Sequence, residues 1–126
     1  MYYFNENITA NEMAILVIRV TSRLGIPKSL IGYKYLCEGL ILIAANIDLI
    51  YNATNEFYPA IAEMNGVSSN SVQKGLSKVI AAVWASPSEE MKQIFAGYGI
   101  CENSRPPKTI EFIPSEYAYI ILERKK

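Results

Sequence analysis

Histidine is absent from the 126-residue sequence, and cysteine occurs only at Cys37 and Cys101. The commonest general base is therefore missing, and no Gly-x-Ser-x-Gly, phosphate-loop or glycine-rich dinucleotide pattern replaces it. The two cysteines form no Cys-x-x-Cys pair and are too few for a zinc site. We predict no catalytic residue, no metal site and no cofactor, and we expect two free thiols, with Cys37 buried.

A long hydrophobic run is also absent. The longest apolar stretch, which begins at Leu40, contains Asn46 and Asp48 and is too short and too polar to span a bilayer. The N-terminus, MYYFNENITA, has neither the basic start nor the apolar core of a secretion signal. Hydrophobic residues nevertheless make up 51% of the chain, which is enough for the core of one folded domain. We expect a cytoplasmic protein without membrane contact.

The helix start signals predict an all-α fold, with a tail over residues 1–9 and one six-helix domain over residues 10–126. Thr9 and Glu12 have the spacing of a capping box for a first helix that ends near residue 24. No run of alternating apolar and polar residues is long enough to predict a strand.

The rest of the chain contains start and stop signals for the other helices. The mostly apolar residues after Pro27 predict a central helix that continues to about residue 52. A short third helix follows over residues 55–65, since Pro59 is tolerated in a first turn. Ser86 is the predicted cap of a fifth helix, and the sixth begins at Thr109.

The fourth helix, over residues 70–85, has two different faces. Its buried stripe follows the three-and-four spacing of an amphipathic helix and comprises Val72, Leu76, Val79, Ile80, Val83 and Trp84. Its other face is polar, and no acidic residue occurs between Met64 and Glu89. In DNA-binding proteins, polar and basic side chains on such a face contact base edges and phosphates. The predicted DNA-binding residues are Ser69, Asn70, Gln73, Lys74, Ser77 and Lys78, together with Arg105 and Lys108 before the last helix; the alternative is a merely solvated face.

The junction of the third and fourth helices has the residue spacing of a helix-turn-helix over about residues 55–85. Ala62 allows a short crossing distance, Gly66 can adopt the positive φ that reverses the chain, and Val72 packs the second helix onto the first. An ordinary helical hairpin is the alternative interpretation.

Charge is distributed unevenly along the chain. Residues 1–64 contain four basic and six acidic side chains, whereas residues 65–110 contain five basic and three acidic ones. The positive excess therefore coincides with the predicted DNA-binding segment. Because the excess is small and phosphate neutralisation dominates DNA affinity, one domain should bind weakly unless two pair on DNA.

Four segments carry a resemblance to a known family: LGIPKSLIGYKYLCEGL, FYPAIAEMNGVSSNSVQKGLSKVIAAVW, IFAGYGI and RPPKTIEFI. In order and spacing they resemble the C-terminal DNA-binding domain of the master sporulation response regulator, over about residues 13–126. The resemblance implies a six-helix domain whose fourth helix enters the major groove of a promoter element. It also implies contact with the RNA polymerase sigma factor and head-to-tail pairing on double-stranded DNA, with the last helix near the partner.

The sequence departs from the family pattern in several places. Gln73 and Lys74 stand where the family has an acidic and a basic residue, and Ser77 and Lys78 stand where it has arginine and histidine. Gly75, like Gly39, replaces a better helix former, and an interior glycine costs about 1 kcal/mol relative to alanine. In the family a phosphorylated receiver domain precedes this domain. With about ten residues before the first helix, we expect no acceptor aspartate.

Two functional hypotheses follow. The first is a sequence-specific DNA-binding transcription regulator that acts without its own phosphorylation. The second is a protein-interaction module that pairs with a full-length relative or a sigma factor, regulates by titration and binds little DNA itself. For the second, Tyr117, Ile120 and Ile121 on the last helix are the residues expected to form an exposed apolar patch.

Overall fold

The structure is a computed structural model that describes residues 9–97 and 105–124. Within these residues it contains no strand, and the all-α fold is confirmed. The helices are α1 (Ala10–Arg23), α2 (Ile31–Ala45), α3 (Tyr58–Asn65), α4 (Ser69–Ala85), α5 (Glu89–Gly97) and α6 (Thr109–Arg124), with a 3₁₀ segment (Ile47–Asn52) and a π-helical turn (Ala53–Phe57) between α2 and α3. Cys101 and the expected N-terminal tail, apart from Thr9, lie outside the described residues.

The first helix begins at the predicted capping box. The backbone N–H of Glu12 donates to Oγ1 of Thr9 at 3.1 Å, and the backbone N–H of Thr9 donates to Oε1 of Glu12 at 2.8 Å. Two N–H groups that lack a partner inside the helix are thus satisfied. The helix ends where Gly25 adopts a φ of 79°.

The central helix is shorter than the sequence predicts. α2 ends at Ala45, because Asn46 adopts an extended conformation and its side chain accepts from the backbone N–H of Asp48 at 3.1 Å. Asparagine side chains offer the backbone this alternative to a continued helix. The prediction of one helix to residue 52 is therefore wrong: the chain continues as the 3₁₀ segment.

The fifth helix has a different cap from the predicted one. Oγ of Ser88, not of Ser86, accepts from the backbone N–H of Met91 at 3.1 Å, and it donates to the backbone carbonyl of Leu24 at 3.2 Å. Ser88 thus both caps α5 and connects it to the end of α1. The prediction of Ser86 as the cap is wrong by two residues.

The central position predicted for α2 is confirmed, since it packs against α1, α3, α4 and α6. Its closest approach is to α4, where a Cβ atom added to Gly32 would lie 2.1 Å from the carbonyl oxygen of Gly75. A Cβ on Gly75 would lie 2.9 Å from the Tyr35 ring, and one on Gly39 would lie 2.7 Å from the Phe57 ring. The interior glycines thus allow close packing, which their low helix propensity alone does not reveal.

Aromatic rings connect α5 and α6 to the core. The ring of Phe95 on α5 lies edge-on to Trp84 of α4, with centroids 5.3 Å apart, and stacks on Phe112 of α6 at 5.2 Å. At the surface, Arg23 of α1 pairs with Glu90 of α5 at 3.1 Å. These contacts join α5 to α1, α4 and α6.

One acidic side chain lies inside the core. Glu116 on α6 is 1% exposed, and neither of its carboxylate oxygens has a hydrogen-bond partner. Burial raises its pKa from 4.5 to about 8, because the charged form is poorly solvated there. The side chain is consequently protonated at neutral pH.

Cys37 is a free, buried thiol, as the sequence predicts. Burial raises its pKa, and Oγ1 of Thr21 lies 3.8 Å from its Sγ atom. A buried thiol with a raised pKa is a poor nucleophile.

Candidate nucleic-acid interface

The helices α3 and α4 are joined by a tight turn at Gly66. This glycine has a φ of 64° and a ψ of 35°, a left-handed conformation that favours glycine. The backbone N–H of Val67 donates to the carbonyl of Ala62 at 3.1 Å, and that of Gly66 donates to the carbonyl of Glu63 at 3.4 Å. This pattern is a Schellman motif, which satisfies the last carbonyls of α3.

Two of the three residues that carry the predicted helix-turn-helix spacing are buried. Ala62 is 5% exposed and Val72 is completely buried. Val67, just after the turn, is exposed.

The cap of α4 precedes the polar face. Oγ of Ser68 accepts from the backbone N–H of Ser71 at 3.1 Å. From this cap the helix buries the expected apolar stripe together with Gly75.

The polar residues of α4 share one side of the helix. Asn70, Lys74, Ser77 and Lys78 are exposed, while Ser69 and Gln73 are half-buried. Neither lysine forms a hydrogen bond or ion pair with the described residues. The structure therefore brings the six predicted α4 residues together and leaves two ammonium groups in solvent.

Arg105 and Lys108 lie at a different place, just before α6. Both are exposed, and the backbone N–H of Lys108 donates to Oε1 of Glu111 at 2.8 Å. Burial raises the pKa of Tyr58, the first residue of α3, and the nearby side chain of Thr109, the first residue of α6, partly offsets this shift. Lys108 thus lies near the start of α3, at the opposite end of that helix from the turn, and Arg105 precedes it by three residues in the sequence.

At the turn itself the structure adds residues that the sequence analysis missed. Nζ of Lys34, on α2, donates to Oδ1 of Asn65 at 2.6 Å, and Nδ2 of Asn65 donates to Oε1 of Glu38 at 2.8 Å. Asn65 is the last residue of α3. No local pattern indicates this contact, because it joins residues 31 positions apart in the sequence.

The apolar patch expected on α6 is not at the surface. Tyr117, Ile120 and Ile121 are 7%, 0% and 8% exposed, so they belong to the core. Burial raises the pKa of Tyr117 to about 12. The prediction that these residues are exposed for a partner is wrong; the exposed large apolar residues of α6 are Ile110 and Leu122.

Residues 9–97 and 105–124 contain no group of three or more histidine, cysteine, aspartate or glutamate side chains that could hold a metal ion. Within the same ranges, no helix is both long and apolar enough to cross a membrane.

An all-α domain that exposes a cationic helix face directly after a glycine turn has the features of a helical DNA-binding domain. The chain belongs to the family described as sporulation initiation factor Spo0A C terminal, whose model matches residues 17–120. This family comprises DNA-binding effector domains of sporulation transcription regulators and is not an enzyme family. The resemblance in the sequence is thereby confirmed.

Proposed function

We propose that the chain is a sequence-specific transcription regulator that places α4 in the major groove of a promoter element. The observation that carries this proposal is the acid-free outer face of α4, on which Lys74 and Lys78 make no contact with the described residues. Two ammonium groups in this position complement a polyanion, and the preceding turn presents the helix at the surface. We further propose that residues 1–126 bind duplex DNA without being phosphorylated.

The residues on the polar face of α4, and the two basic residues before α6, have distinct proposed roles. Gln73 and Lys74, early in α4, contact base edges: glutamine pairs with adenine, and lysine donates to the O6 and N7 atoms of guanine. Ser69, Asn70, Ser77 and Lys78 contact phosphates or base edges alongside them. Arg105 and Lys108 contact phosphates beside the start of α3.

A salt titration tests the proposal. If Lys74, Lys78, Arg105 and Lys108 together neutralise about three or four phosphates, log affinity should fall with log salt concentration with a slope of about −3 to −4 per domain. Fluorescence anisotropy with a duplex carrying the family promoter element measures this slope, and a random duplex is the control. Absence of binding to both duplexes at low salt, or a flat salt response, would contradict the DNA-binding function.

Replacement of Lys74 by alanine and replacement of Lys78 by alanine should have different effects on DNA binding. Lys74→Ala is expected to weaken binding to the preferred site by about 1 to 3 kcal/mol and to reduce selectivity at one base pair, because a base contact is lost. Lys78→Ala should weaken binding to all sequences alike, because it removes a phosphate contact. The preference itself should be shallow, since lysine lacks the planar fork of arginine.

Selection of bound duplexes from a random pool compares wild type with both variants. A preference that changes only with Lys74→Ala supports base reading by α4. Identical preferences for all three proteins would mean that the polar face of α4 is only solvated.

We also propose that two copies pair on adjacent DNA sites and that the bound pair contacts the RNA polymerase sigma factor. The chain has a formal net charge of zero, so one copy has little electrostatic affinity for DNA. Sedimentation should find a monomer in dilute solution and a pair only with a duplex that contains two sites. A stable dimer without DNA would favour the interaction-module hypothesis instead, although the α6 residues first considered for it are buried.

A further inference from the structure

Lys34 lies on α2, outside the two helices of the proposed DNA-binding unit, yet its amine is held at their turn. The 2.6 Å hydrogen bond from Nζ of Lys34 to Oδ1 of Asn65 places the amine beside the residue that precedes Gly66. Two residues earlier on α2, Gly32 contacts the backbone of Gly75, which directly follows Lys74. The start of α2 is therefore attached both to the turn and to the middle of α4.

Asn65 is itself fixed by hydrogen bonds. Its Nδ2 atom donates both to Oε1 of Glu38 and to the carbonyl of Ile61, each at 2.8 Å. Its Oδ1 atom accepts from Lys34. Every polar atom of the Asn65 side chain therefore has a partner, and this fixed side chain holds the amine of Lys34 by one hydrogen bond.

The ammonium group of Lys34 retains donors for a ligand. A lysine ammonium has three N–H bonds, and the described residues accept one of them, at Asn65. Oε2 of Glu38 lies 3.8 Å away, which is an ion pair but too long for a hydrogen bond. The side chain of Lys34 is 58% exposed, whereas that of Glu38 is only 20% exposed.

We infer that Lys34 contacts a backbone phosphate of duplex DNA beside the turn, and that Glu38 weakens this contact. The inference rests on the proposed function. A phosphate at the free side of the ammonium group would receive its two remaining N–H bonds while Asn65 keeps the group in place. The carboxylate of Glu38 already offsets part of the positive charge and would repel the phosphate. Lys34 would then flank α4 at the turn.

The test compares wild type with Lys34→Ala, Lys34→Arg, Glu38→Gln and the control Arg19→Gln. Arg19 is an exposed cation on α1, which packs on α2 and α6. Glutamine at position 38 retains an oxygen that can accept from Asn65. Each protein is titrated by anisotropy against the fluorescein-labelled promoter-element duplex between about 50 and 200 mM salt, and circular dichroism verifies folding.

For Lys34→Ala, the magnitude of the salt slope should fall by about one unit and the affinity by about fivefold to tenfold at ~0.1 M salt. Lys34→Arg should retain the slope, and Arg19→Gln should behave as wild type. Removal of the negative charge in Glu38→Gln should tighten binding by about twofold to fivefold.

Different results would contradict the phosphate contact of Lys34, the role of Glu38 and the proposed function. Wild type that binds the duplex with the same slope as Lys34→Ala overturns the phosphate contact and leaves the proposed function standing. An unchanged or weaker affinity for Glu38→Gln overturns the role of Glu38. If wild type binds no duplex at low salt, the proposed function fails, and the inference fails with it.

Discussion

Replacement of Glu116 by glutamine should make the protein more stable at neutral and mildly alkaline pH. Burial raises the pKa of Glu116 from 4.5 to about 8 in the folded protein. Between these values the unfolded chain releases a proton that the native state retains, so the free energy of unfolding falls as the pH rises. The favourable contribution of protonated Glu116 is fully present below the unfolded pKa and is lost as the pH approaches 8. The loss between about pH 5 and pH 8 is on the order of 3 to 4 kcal/mol.

Glutamine has a similar volume and no proton to release, so Glu116→Gln should lack this dependence. Urea unfolding of both proteins between about pH 5 and pH 8 should give curves that are close at the acidic end and diverge toward the alkaline end. Glu63→Gln, at an exposed position on α3, is the control and should keep the wild-type pH dependence. Parallel pH profiles for wild type and Glu116→Gln would contradict the buried, uncharged state of Glu116.

The contact between α2 and α4 should not tolerate even one methyl group. In Gly32→Ala the new Cβ would lie 2.1 Å from the carbonyl oxygen of Gly75, and a backbone carbonyl cannot rotate away as a side chain can. The two helices must separate, which should lower the free energy of unfolding by about 2 to 3 kcal/mol even after the gain in helix propensity. Since α4 carries the proposed DNA-binding face, Gly32→Ala should also bind duplex DNA more weakly than wild type.

Gly75→Ala is the matched comparison for this prediction. Its Cβ would lie 2.9 Å from ring atoms of Tyr35, a side chain that can shift. Denaturant unfolding should therefore show a smaller loss for Gly75→Ala than for Gly32→Ala. Wild-type or higher stability of Gly32→Ala would refute the close helix contact.

The elements that are predicted correctly from the sequence are determined by residues that lie close together in the chain. The capping box of Thr9 and Glu12 and the buried stripe of α4 are confirmed because each needs only residues within a few helical turns. Gly66 adopts the predicted positive φ for the same reason: the reversal is a property of one residue and its neighbours.

The predictions from sequence are wrong where the local sequence is compatible with more than one structure. Ser86 and Ser88 are both acceptable caps, and the hydrogen bond from Ser88 to Leu24, 64 positions earlier, distinguishes them only in the folded chain. Apolar residues continue past Asn46, so periodicity alone did not show that α2 ends there. Which residues of α6 are exposed depended equally on the helices that cover it.

Spacing, capping and residue chemistry within short segments were enough to predict the fold class, the family, the turn at Gly66 and the polar composition of α4. The folded structure was needed to show that α6 buries Glu116 and Tyr117, that Gly32 lies against Gly75, and that Lys34 reaches the turn. These features arise from contacts between segments distant in the chain. Which segments meet depends on how all the helices together exclude water from the core, and no local pattern records that arrangement.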